Sequence, residues 1–80
     1  MTKADKLLAA LRANPRGDWQ IADVERVCRL HDMICLPPKR GDHWKIAHPD
    51  LDEILTIPAH RPIDGVYIRR LVAMIDAVTK

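Results

Sequence analysis

The chain has 80 residues, of which 48% are apolar and 30% charged, and its thirteen Lys and Arg stand against eleven Asp and Glu for a net charge of +2. A chain this short builds one small core, burying roughly 60 to 65% of the surface its unfolded form exposes, which excludes a separate cofactor domain. It carries no signal-peptide pattern and no apolar run of membrane-spanning length, and a charge total so near zero does not by itself select a polyanionic partner. Residues 1–80 are therefore expected to form one cytoplasmic domain.

Thr2 is placed to cap a first helix running to about residue 13, with Asp5 three residues on as a capping-box acid and Leu7, Leu8 and Leu11 as its apolar stripe. Asn14-Pro15-Arg16-Gly17 ends that helix. A second helix is predicted over about residues 20–31, where Ile21, Val24, Val27, Cys28 and Leu30 point largely to one side. Trp19, beside its start, reads as a packing anchor, and His31, at its end, as a partner for the terminal carbonyls and dipole. Met33-Ile34-Cys35-Leu36 reads as a short strand that Pro37-Pro38 stops or confines to a sheet edge, because neither ring donates a ladder hydrogen bond.

His43 to Ala47 and Glu53 to Ile57 are two further strands, joined by Pro49-Asp50-Leu51-Asp52, so the middle of the chain is expected to be a three-stranded antiparallel meander. In the last strand Ile54 and Thr56 share one face, Leu55 and Ile57 the other. Asp64 then caps a final helix, with Ile63 and Ile68 as a hydrophobic staple and Ile68, Leu71, Val72 and Ile75 at helical period to cover the sheet. The expected fold class is α+β. Residues 20–78 follow the α-β-β-β-α order of a double-stranded-RNA-binding-like sandwich, and residues 1–13 add an N-terminal helix.

The chemistry concentrates at Lys39-Arg40-Gly41-Asp42-His43, where a histidine leaves a basic glycine turn straight into a strand that continues Trp44-Lys45. Lysine and arginine hold phosphates, while histidine, with an unperturbed pKa of about 6.5, moves a proton near neutral pH. RNA is the first substrate this pairing suggests. Lys39, Arg40, Lys45, Arg61, Arg69 and Arg70 are the cations expected near turns or on the last helix, where they can share a face. Trp44 has two readings: it stacks on an unpaired base, or it packs into the core on the same strand face as Ile46. Cys28 and Cys35 read as reduced, buried thiols. Counted with His31, His43, His48 and His60 they match no common zinc spacing, so neither a metal nor any other cofactor is expected.

Taken in order, these residues resemble the HicA family, small mRNA interferase toxins of bacterial type II toxin–antitoxin pairs. The resemblance runs from about Leu7 to Ala77 and rests on several short elements. Asn14-Pro15-Arg16-Gly17 matches an Asn-Pro-basic-Gly step, Lys39-Arg40-Gly41-Asp42-His43 matches the segment around the family's catalytic histidine, and His48-Pro49 matches a His-Pro turn. Pro58-Ala59-His60 matches a Pro-x-His element after the third strand, and Tyr67-Ile68-Arg69 the opening of the last helix. Two positions depart from the pattern: Asp42 stands where serine is usual, and Trp44 where a second histidine is frequent. A carboxylate close to His43 favours its imidazolium and also repels phosphate. In regular strand Asp42 and His43 point to opposite faces, whereas within the turn they touch.

The resemblance implies metal-independent endoribonuclease activity with His43 as general base, taking the proton of a ribose 2′-hydroxyl and leaving a 2′,3′-cyclic phosphate and a 5′-hydroxyl. Lys39, Arg40, Gly41, Lys45, Trp44 and Arg69 would then contact RNA, and the proton donor to the leaving oxygen stays open among His48, His60 and water. It also implies a HicB-type antitoxin as partner, with mRNA as substrate and neither membrane nor small-molecule cofactor involved. Two further readings remain beside it: a non-catalytic RNA-binding module of the same fold, and a protein that only holds its antitoxin.

Overall fold

The computed structural model describes residues 3–79 as α1 (Lys3–Ala13), α2 (Ile21–Leu30), β1 (Ile34–Leu36), β2 (His43–Ala47), β3 (Leu55–Pro58) and α3 (Gly65–Thr79). The arrangement is α+β, with α2 and α3 against a three-stranded antiparallel sheet of order β1-β2-β3 and α1 packed on those two helices. The expected Thr2 cap lies outside the described residues.

The core is built from the stripes the helical spacings define. Leu8 and Leu11 of α1, Val24, Val27 and Cys28 of α2, and Ile68, Leu71, Val72, Met74 and Ile75 of α3 are buried together with Ile46, Leu55 and Ile57 of the sheet. Leu30 is a correction: it is exposed. Nine residues beyond Ile21 is two and a half helical turns, which carries Leu30 away from the side that Val24, Val27 and Cys28 bury.

Cap chemistry sets the helix ends. The Asp23 carboxylate accepts the backbone N–H of Gln20 at 2.9 Å, giving α2 the reciprocal half of a capping box. At its other end the backbone N–H of His31 reaches the Val27 and Cys28 carbonyls, Asp32 adopts a left-handed φ of 58°, and Met33 N–H returns to Cys28 O at 2.8 Å. That is a Schellman closure with aspartate in the position glycine usually takes. Asp64 caps α3 as expected, its Oδ1 accepting Val66 N–H at 3.0 Å, and the staple residues Ile63 and Ile68 are both buried.

The sheet register pairs Cys35 with Ile46, Ile46 with Leu55, and Trp44 with Ile57, so these side chains share the helix-facing side. Ile34, Leu36, His43, Lys45 and Thr56 alternate onto the other side, which no helix covers, and all five are exposed. Two strand limits differ from expectation. β1 begins at Ile34 rather than Met33, whose side chain is buried as α2 ends. β3 runs Leu55–Pro58 rather than Glu53 to Ile57, because residues 48–51 form a turn in which Leu51 N–H bonds His48 O at 3.0 Å, delaying the return of the chain to β2. Pro58 closes β3 without cost to the ladder because β3 is an edge strand.

Candidate functional site

Pro37-Pro38 ends β1, and the chain crosses to β2 through four residues, Lys39 to Asp42. Gly41 has a φ of 78°, and the space where a Cβ would stand is empty, so glycine is needed there for its backbone conformation and not for room. The turn delivers Asp42 at the last position before the strand and His43 as its first residue.

Lys39, Arg40, His43 and Lys45 line one open depression of about 520 Å³ with Leu36, Pro37 and Pro38 as its apolar floor and wall. His43 and Lys45 reach it by strand alternation, and Lys39 and Arg40 by the turn. Three cations thus share one depression with an imidazole whose side chain is 65% exposed. The relation between Asp42 and His43, open in the sequence, is resolved: within the turn they touch, with Asp42 Oδ1 3.2 Å from His43 Nδ1. Among the described residues no carboxylate pairs with the Nε2 edge of the ring.

The second oxygen of Asp42 meets another histidine. His43 pairs with Pro58, and the ladder extends one step further through Ala59 N–H donating to Asp42 O at 2.7 Å. His60 follows directly, and its Nε2 lies 3.2 Å from Asp42 Oδ2. The strand register brings them together, since it places the second residue after Pro58 beside the turn that precedes His43.

The remaining candidates are dispersed. Trp44 is half-buried, on the sheet face opposite His43 and Lys45. His48 stands at the far end of β2, only 15% exposed, where its Nδ1 accepts the backbone N–H of Asp50 at 3.0 Å. Arg69 is exposed on α3, Arg70 borders a separate hollow with Glu53 and Ile54, and Arg61 pairs with Asp18 at 3.1 Å. The six cations therefore do not form one face.

Cys28 and Cys35 are free thiols facing one another where α2 meets β1. Hydrogen bonding between them, reinforced by burial, pushes the Cys28 thiol above its ordinary range, and the same hydrogen bond draws Cys35 down. Among the described residues no group of three or more His, Cys, Asp or Glu side chains is arranged to hold a metal ion, and no helix is long and apolar enough to cross a membrane. Comparison of the chain with protein-family models, with curated proteins and with solved structures returned no match.

Proposed function

We propose that the chain is a HicA-type toxin, a metal-independent endoribonuclease acting on cytoplasmic mRNA with a double-stranded-RNA-binding-like sandwich as its scaffold. The observation that carries this reading is the convergence of Lys39, Arg40 and Lys45 on the exposed imidazole of His43. In that reading His43 Nε2 takes the proton from a ribose 2′-hydroxyl, and the oxyanion attacks the adjacent phosphorus. The three cations bind the phosphate and stabilise charge as it builds on the phosphorane, a contribution one general base cannot replace. A HicB-type antitoxin would cover the basic depression and the uncovered sheet face, where Ile34 and Leu36 are exposed beside Lys45.

A second reading, RNA binding without cleavage, is favoured by Asp42, since a carboxylate in contact with His43 opposes the scissile phosphate. Induced expression of wild type and His43→Ala without antitoxin, following growth and full-length mRNA together, separates the two. Arrest with mRNA loss in wild type alone supports the ribonuclease. Normal growth with a soluble, folded protein that still retains labelled RNA supports the binder.

A further inference from the structure

We propose that Asp42 is a positioning residue that joins His43 and His60 into one proton-transfer unit, in which His60 returns the proton to the leaving oxygen. This rests on the ribonuclease reading of the same site and adds to it the group that the sequence left open. Both oxygens of one carboxylate are engaged, Oδ1 at 3.2 Å from His43 Nδ1 and Oδ2 at 3.2 Å from His60 Nε2. The backbone bond from Ala59 N–H to Asp42 O holds the two chain segments together at that point.

The unit requires the tautomers in which His43 Nδ1 and His60 Nε2 carry the hydrogen toward the carboxylate, which only accepts. His43 Nε2 is then the lone pair a base requires, and His60 Nδ1, in the imidazolium form, holds the proton to give. The two rings are 65% and 73% exposed, so RNA reaches both. His48 is a poorer donor: it is 15% exposed and its Nδ1 is occupied by the Asp50 N–H.

The step balances on these groups alone. His43 Nε2 takes the 2′-hydroxyl proton as the O2′–P bond forms. The P–O5′ bond breaks, its electron pair leaves on O5′, and His60 Nδ1 supplies the proton that makes the 5′-hydroxyl. His43 ends as imidazolium and His60 as neutral imidazole, one positive charge before and after. Asp42 exchanges no proton in this step, while Lys39, Arg40 and Lys45 face the phosphate and Arg61, next to His60, stays with Asp18.

The test is single-turnover cleavage of a short RNA and of the same RNA carrying sulfur in place of the 5′-bridging oxygen, whose thiolate leaves without a proton. His60→Ala should cleave ordinary RNA about 10²- to 10⁴-fold more slowly and the sulfur substrate near the wild-type rate, while His43→Ala stays slow on both. Recovery on the sulfur substrate also shows that the variant is folded. Asp42→Asn should lower kcat on the order of tenfold to hundredfold, less than the about 10⁴ that a buried orienting carboxylate contributes in a serine protease. RNA binding should tighten in that variant, since a negative charge leaves the site. Wild-type cleavage with His60→Ala equally slow on both substrates, or with His60→Ala or Asp42→Asn unimpaired, overturns this inference and leaves the ribonuclease standing. A wild type that cleaves neither substrate overturns both.

Discussion

Asp76 and Asp42 each hold a nitrogen group from another segment of the chain, and the two pairings suit different work. Asp76 on α3 receives both terminal nitrogens of Arg12 from α1 at 2.7 Å, a fork that draws the guanidinium still higher above its usual range by hydrogen bonding and then by charge. Asp42 instead receives two imidazoles. A guanidinium never surrenders its proton near neutral pH, so the Arg12–Asp76 pair only fastens one helix to another. An imidazole does surrender it, so in the proposed unit the carboxylate at the hairpin edge has a part in proton transfer that Asp76 cannot have. The surroundings differ accordingly: Asp76 follows the buried Ile75 along α3, while Asp42 lies between two exposed histidines.

The sharpest way to break this contrast is to remove His43. His43→Ala should reduce RNA cleavage by about 10²- to 10⁴-fold while leaving the melting curve where it was, because the side chain is exposed and packs against nothing in the core. A lowered melting temperature would make His43 structural and erase the distinction. Next comes the helical side. Leu11 is fully buried, so Leu11→Ala should cost about 2–5 kcal/mol of stability in denaturant titrations, with residual cleavage following only the folded fraction.

A smaller effect tests which cations the proposed RNA site uses. Lys45→Ala should flatten the slope of log affinity against log salt by about 0.7, the share of one single-strand phosphate contact, and Arg40→Ala should do the same. Arg69→Ala, remote from the depression, tests the sequence expectation directly: an unchanged slope removes Arg69 from the interface. Smallest of all is Arg12→Ala, expected to lower the melting temperature slightly at low salt and not at high salt, since the pair is solvent-exposed and screened. A loss that persists in high salt would assign the effect to packing of the arginine stem instead.

Much of the scaffold was legible because its signals are local. The Asp64 cap, the Ile63 and Ile68 staple and the stripe of α3 all lie within one stretch of chain, and β2 was bounded at the right residues by the glycine turn and His48-Pro49. The Gln20 and Asp23 cap was missed because glutamine is not among the residues that favour the N-cap. The limits of β3 were misplaced because the turn at 48–51 takes up chain that the strand propensity of Ile54 had claimed. At the candidate site, the group of Lys39, Arg40, His43 and Lys45 followed from spacing, whereas the meeting of Asp42 with His60 depends on cross-strand register and on a turn conformation, and neither is written in any short motif. Asp42 in particular looked like an intruder in the sequence, yet in three dimensions it is the point where two segments join.

The connection between β3 and α3 carries His60, and it is fastened at several places: Ala59 N–H to Asp42 O, Arg61 to Asp18, and Ile63 N–H to Trp19 O at 2.9 Å. An exposed histidine on an untied loop would have to be immobilised each time a ligand arrived, and that ordering would weaken association. Here the backbone gives up its freedom once, when the chain folds. Asp18 and Trp19, which belong to the connection ahead of α2 and lie outside the hairpin, thereby become determinants of how steadily a ring is presented at the opposite end of the loop.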